Sequence, residues 1–109
     1  MRKKIIAGNW KMNKTVGEAL ALVEELKPLV AGQAGADVVI CPPYTALYAV
    51  HTALQGAGIG LGAQDAFWKA SGAYTSQVSL PMLQDVGVAY VILGHSETRG
   101  RFGVAEPDM

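Results

Sequence analysis

A chain of 109 residues, half of it hydrophobic and 17% charged, holds enough apolar material for one small buried core and excludes both a second domain and a disordered chain. Nine Lys+Arg balance nine Asp+Glu, so the formal net charge is zero, and without a basic tract general nucleic-acid binding is excluded. The single cysteine, Cys41, cannot form an internal bridge and reads as a buried, inert thiol.

The basic start, Met1-Arg2-Lys3-Lys4-Ile5-Ile6, has an apolar run that stops at Ala7, with Asn9 following. That is too short for a signal peptide or a membrane span, so a cytoplasmic protein is expected. Ile5-Ile6-Ala7 is the first of four short apolar runs; the others are Val38-Val39-Ile40, Ile59 to Leu61 and Val88 to Leu93. Such runs read as parallel strands covered on both faces. After the first comes Thr15-Val16-Gly17-Glu18, a capping box. Val16, Ala19, Leu20, Val23, Leu26 and Val30 then share one helical face, and the helix is expected to end near Gly32. A second helix should follow Pro42-Pro43, with Leu47, Val50 and Leu54 inward and Gly56 near its end. His51 falls in this helix and is expected at the surface. A third, shorter helix should start around Ser79-Leu80-Pro81 and stop before Gly87. The order is strand-helix three times and then a fourth strand, which predicts parallel βα units. Residues 64–78 make too long a connection for an ordinary βα loop, and they carry Phe67, Trp68 and Tyr74. Long ordered loops with bulky aromatics often bind something.

Polar side chains follow the strands: Gly8-Asn9-Trp10-Lys11 after the first, Gln64-Asp65 after the third, Gly94-His95-Ser96-Glu97 after the fourth. The C-terminal ends of parallel strands are where α/β folds keep their sites. Lys11 is either an ordinary solvent-facing lysine or a compact positive charge for a phosphate or a developing oxyanion. Glu97 is either its ion-pair partner or a carboxylate at a helix N-terminus. His95 is either structural or an imidazole kept neutral by the N–H groups of the next turn, able to donate a hydrogen bond to a carbonyl oxygen. The glycine-rich stretch from Gly56 to Gly62 does not have G-x-G-x-x-G spacing, no P-loop or G-x-S-x-G occurs, and the histidines lack metal-ligand spacing. No metal site and no cofactor are expected. A small flavodoxin-like phosphate binder is a further alternative, weakened by the missing phosphate loop.

Gly8-Asn9-Trp10-Lys11-Met12-Asn13 resembles the opening of triosephosphate isomerases. So do Cys41-Pro42-Pro43, Gly62-Ala63-Gln64, the loop Gly72-Ala73-Tyr74-Thr75, the run from Val91 to Glu97, and Phe102-Gly103. The likeness covers essentially the whole chain in order. It implies parallel βα units forming half of a TIM (β/α)8 barrel, with about four strands and three to four helices, residues 1–109 being a single N-terminal half-barrel domain. It also implies a reaction, the cofactor-free interconversion of dihydroxyacetone phosphate and glyceraldehyde 3-phosphate. The resemblance assigns substrate contact to Asn9 and Lys11, carbonyl polarisation by a neutral His95, and the holding of Lys11 to Glu97. It has Ser96 help start the short helix behind the histidine. Thr75 would reach into a neighbouring subunit, making Trp68, Tyr74, Thr75 and Gln77 the candidate interface of a homo-oligomer.

The family's glutamate base sits on the sixth βα loop, and none of Glu18, Glu24, Glu25, Glu97 and Glu106 resembles it. Ser76-Gln77 replaces the family's Gly-Glu after the loop threonine, and Thr98 replaces an arginine after Glu97. The Glu and Arg positions form an intersubunit ion pair in the family, which Gln77 and Thr98 cannot make, so the family's usual dimer geometry is not implied here; an exposed pair of this kind is worth about 1 kcal/mol or less. Half a barrel should leave open edges at the first and fourth strands and bare its inward faces. The expected function is a triosephosphate isomerase-like half-site with negligible activity alone; the alternative is a non-catalytic, self-associating scaffold.

Overall fold

The computed structural model describes residues 4–32, 35–93 and, as backbone, 101–104. The elements run β1 (Lys4–Asn9), α1 (Val16–Val30), β2 (Ala36–Cys41), a single 3-10 turn (Tyr44–Ala46), α2 (Leu47–Ala53), β3 (Ile59–Ala63), α3 (Leu80–Asp85), β4 (Tyr90–Leu93) and β5 (Arg101–Val104). They form a sheet in the order β1-β2-β3-β4-β5. β1 to β4 pair parallel and β5 pairs antiparallel with β4. The expected half-barrel of about four parallel strands with three to four helices is present, with three α-helices among the described residues.

Local chemistry explains the helices. At the start of α1 the Thr15 hydroxyl accepts from the Glu18 N–H (3.4 Å) and the Glu18 carboxylate accepts from the Thr15 N–H (2.9 Å), satisfying two donors that lack helical partners. Pro28 is tolerated in the last turns of α1. Ser79 caps α3, accepting from Met82 N–H at 3.4 Å, and Pro81 falls in its first turn.

The register divides the strands into two faces, since side chains alternate along each. Outward, Ile40, Ile59, Leu61, Ala63 and Val91 pack with Ala19 and Val23 of α1, Leu47, Val50 and Leu54, and Leu83 of α3. With Ala46 and Val88 they make up the main core, 13 buried residues among those described. Inward lie Val39, Cys41, Gly60, Gly62 and Tyr90, which the pairing Val39↔Gly60 and Gly62↔Tyr90 places on one side. A Cβ on Gly60 would lie 3.0 Å from the Tyr90 ring, and one on Gly62 would lie 2.7 Å from Cys41 Sγ. The glycines thus let Tyr90 and Cys41 close over β3. Val39 and Cys41 are 1% and 0% exposed, so the inward face is not bared at β2 and β3 as expected.

Three further expectations are corrected. β1 is not covered on both faces: Ile5 and Ile6 point to opposite sides and are 46% and 58% exposed, because an edge strand has a neighbour on one side only. The edge of β4 is not open, because β5 occupies it. An unpaired strand edge recruits any backbone that can reach it, and the connecting segment 94–100 is shorter than the dozen or so residues a parallel crossover needs, which leaves the antiparallel direction. His51 is half-buried, and its ring fills the space over Gly87 where a Cβ would collide with it.

Candidate functional site

The C-terminal ends of β1, β2 and β3 are stitched together by polar contacts. Asn9 ends β1 opposite Cys41 at the end of β2. The next residue, Trp10, donates its N–H to the Cys41 carbonyl (3.1 Å). Lys11 then takes a left-handed backbone conformation, φ 56°, which a residue with a Cβ adopts only when its surroundings hold it there. Its N–H donates to Asn9 Oδ1 (2.9 Å). Its carbonyl accepts from Gln64 Nε2 (2.9 Å), and the same nitrogen donates to the Cys41 carbonyl (2.9 Å). Asn13 Nδ2 donates to the Trp10 carbonyl (2.8 Å), tightening the turn from the other side.

Two hollows flank this turn. One, of about 320 Å³, is bordered by Lys11, Met12, Pro43, Tyr44, Gln64, Asp65, Ser76 and Gln77. In its wall the Tyr44 hydroxyl donates to the Asp65 carbonyl (2.9 Å). Partial burial, with the Asp65 carboxylate nearby, pushes that phenol up to about 12. The other, of about 450 Å³, is bordered by Asn9, Trp10, Asn13, Lys14, Glu18 and Leu22. Asn9 and Lys11 are therefore joined by a hydrogen bond yet border different hollows. A third hollow, about 460 Å³, lies at the opposite ends of the strands beside Asp37, His51 and Tyr90.

Both substrate-contact candidates, Asn9 and Lys11, thus lie at one mouth of the sheet. His95 and Glu97 lie outside the described residues. The interface candidates share one loop. Its base is closed by the Phe67–Ser79 bridge and by the Phe67 N–H donating to the Val78 carbonyl (2.7 Å). The Phe67 ring packs at a tilt of 43° against Tyr74 (centroids 4.7 Å apart) and at 40° beside Trp68 (centroids 5.9 Å apart). Trp68 is 78% exposed with the Lys69 ammonium 4.6 Å from its ring centroid. At the tip, the Gln77 N–H donates to the Tyr74 carbonyl (3.0 Å), making a turn over Thr75 and Ser76. Ser76 has φ 76°, the conformation that favours the glycine it replaces.

Gln64 and Asp65 follow β3 and Tyr44 follows β2, none of them in a motif that assigns a role from the sequence. Their position directly after β2 and β3 was the available signal. Among the described residues no group of three or more His, Cys, Asp or Glu is placed to hold a metal. Among them, too, no helix is long and apolar enough to cross a membrane.

The sequence profile of triosephosphate isomerase matches residues 4–109. The triosephosphate isomerase of Clostridium novyi (strain NT) is 56% identical over 109 residues, covering 100% of this chain and 43% of the relative. That of Moorella thermoacetica is 58% identical over 103 residues, covering 94% of this chain and 41% of the relative. The crystal structure of triosephosphate isomerase from Bartonella henselae superposes with a TM-score of 0.80 at 37% identity, over 87% of this chain and 39% of that one. The chain thus spans 41% to 43% of the length of these curated relatives.

Proposed function

The chain belongs to the triosephosphate isomerase family, and on that premise we propose that it supplies the first part of an isomerase site that a complementary C-terminal half completes. Residues 1–109 act in this reading as one half-barrel unit. The observation that carries it is the convergence of Asn9, Lys11 and Gln64 at the C-terminal mouth of three parallel strands.

In this reading Lys11 brings positive charge to a triose phosphate, both to its phosphate and to the oxygen that becomes negative as the enediolate forms. A neutral His95 donates to the carbonyl oxygen and passes protons between the two oxygens of the enediolate. Glu97 holds the Lys11 ammonium by an ion pair. The base that removes the carbon-bound proton comes from outside this chain. Loss of a single oxyanion donor typically costs about 10²–10³ in rate; without base and closing loop the chain alone has negligible turnover.

The test is to mix the chain with the C-terminal remainder of a relative such as the Clostridium novyi enzyme and assay isomerisation. Activity should appear only in the mixture and vanish with Lys11→Met. Turnover by the purified chain alone that disappears in His95→Ala overturns the reading.

The exposed β1 favours a second reading, a non-catalytic scaffold that associates with further copies of itself. A folded mixed complex without turnover supports that reading instead. In either case the exposed loop bearing Trp68, Tyr74, Thr75 and Gln77 is the proposed contact surface between subunits.

A further inference from the structure

We infer that Gln64 is a positioning residue for Lys11, its carboxamide clamping the Lys11 carbonyl and so fixing the left-handed turn that carries this lysine. The inference rests on the reading of Lys11 as the substrate-facing cation.

The two peptide planes on either side of the Lys11 Cα are each tied down by a side chain from another position. Ahead of it, the Lys11 N–H donates to Asn9 Oδ1 (2.9 Å). Behind it, the carbonyl accepts from Gln64 Nε2 (2.9 Å), across 53 residues of sequence. A φ of 56° is unfavourable for a lysine, and fixing both flanking planes is what holds it. Asn9 alone cannot, because its contact is local and moves with β1.

The chemistry of the carboxamide is specific to this task. Nε2 carries two hydrogens, and both are used, one on the Lys11 carbonyl and one on the Cys41 carbonyl at 2.9 Å. Rotating the amide by half a turn would set its oxygen against two carbonyl oxygens, so the network itself dictates the orientation. A carboxylate of the same shape has no donor at neutral pH, and asparagine is one methylene too short. The Cys41 carbonyl also receives the Trp10 N–H (3.1 Å), so Gln64 anchors the turn to the ends of β2 and β3 together. The side chain is half-buried, which keeps water from replacing these bonds readily.

A displaced Lys11 backbone moves the ammonium with it, and a shift on the order of 1 Å in such a group costs about 10²-fold. The test uses Gln64→Met, similar in length and without donors, with Gln64→Glu as the second variant if the first does not fold. In the chain alone, NMR should show for Lys11 the strong intraresidue amide–Hα cross-peak of a left-handed residue. This peak should weaken in Gln64→Met while the amide signals of α1 hold their positions. An unchanged Lys11 signal overturns the proposal, whatever the activity. In the complemented assembly, Gln64→Met should lower kcat/KM about 10- to 100-fold, and adding it to Lys11→Met should cause no further loss. Independent, multiplying losses would show that Gln64 acts elsewhere, and overturn it. A weakened cross-peak in a folded but inactive assembly would sink the isomerase reading and leave the Gln64–Lys11 coupling standing.

Discussion

At Cys41 the carbonyl joins the exits of β1 and β3, while the side chain is fully buried on the inward face against Gly62. Burial deprives the thiolate of water and pushes the thiol up to about 12. The thiolate is the reactive form. The native chain is therefore expected to resist iodoacetamide at about pH 8, where an unperturbed thiol is substantially ionised, and to react readily in guanidinium. Mass spectrometry finding rapid alkylation without denaturant would contradict the closed inward face. The residue type made burial of this thiol legible from the sequence; the glycine gap that receives it was not, since it depends on which positions of β2 and β3 face each other. The same holds for Gln64. Its place after a strand was readable, but a contact with Lys11 across 53 residues exists only once three strand ends are side by side.

Among the elements, α1 is specified most locally, and its start tests that. Thr15→Ala removes the acceptor for the Glu18 N–H and should lower stability by about 1 kcal/mol in urea titrations. The Glu18 carboxyl lies below its ordinary value because the Thr15 N–H and then the Thr15 hydroxyl bond it, with Lys14 adding attraction. A folded-state value below the unfolded one stabilises fully above the ordinary carboxylate range, and this is lost as pH falls through the folded value. Wild type should therefore exceed Glu18→Gln near neutrality and converge with it in acid; a gap independent of pH contradicts the capping role. Capping boxes, helical faces and terminal glycines were legible because each involves residues a turn or two apart. Strand burial was legible only where neighbours exist: Ile5-Ile6 reads the same as Val38-Val39, yet β1 lies at an edge and stays exposed. The strand at Arg101–Val104 follows from the free edge of β4, which no local pattern announces.

At the scale of the whole molecule, exposed Ile5 and Ile6 sit on an edge strand of a chain with no net charge. Bare edges pair with other chains, and zero charge offers little repulsion. Light scattering at micromolar concentration should find a dimer or larger species, and Ile6→Lys should shift it toward monomer; a monodisperse wild-type monomer would contradict this. The opposite edge behaves differently. The full barrel needs a parallel neighbour for β4, whereas β5 lies there antiparallel. In the proposed assembly no incoming strand can seat until β5 lets go, so joining a complementary half should pass through a unimolecular release step whose rate is indifferent to how much partner is present. Past a certain concentration, additional partner should bring no faster assembly, because the border it must join is already occupied by the chain's own backbone.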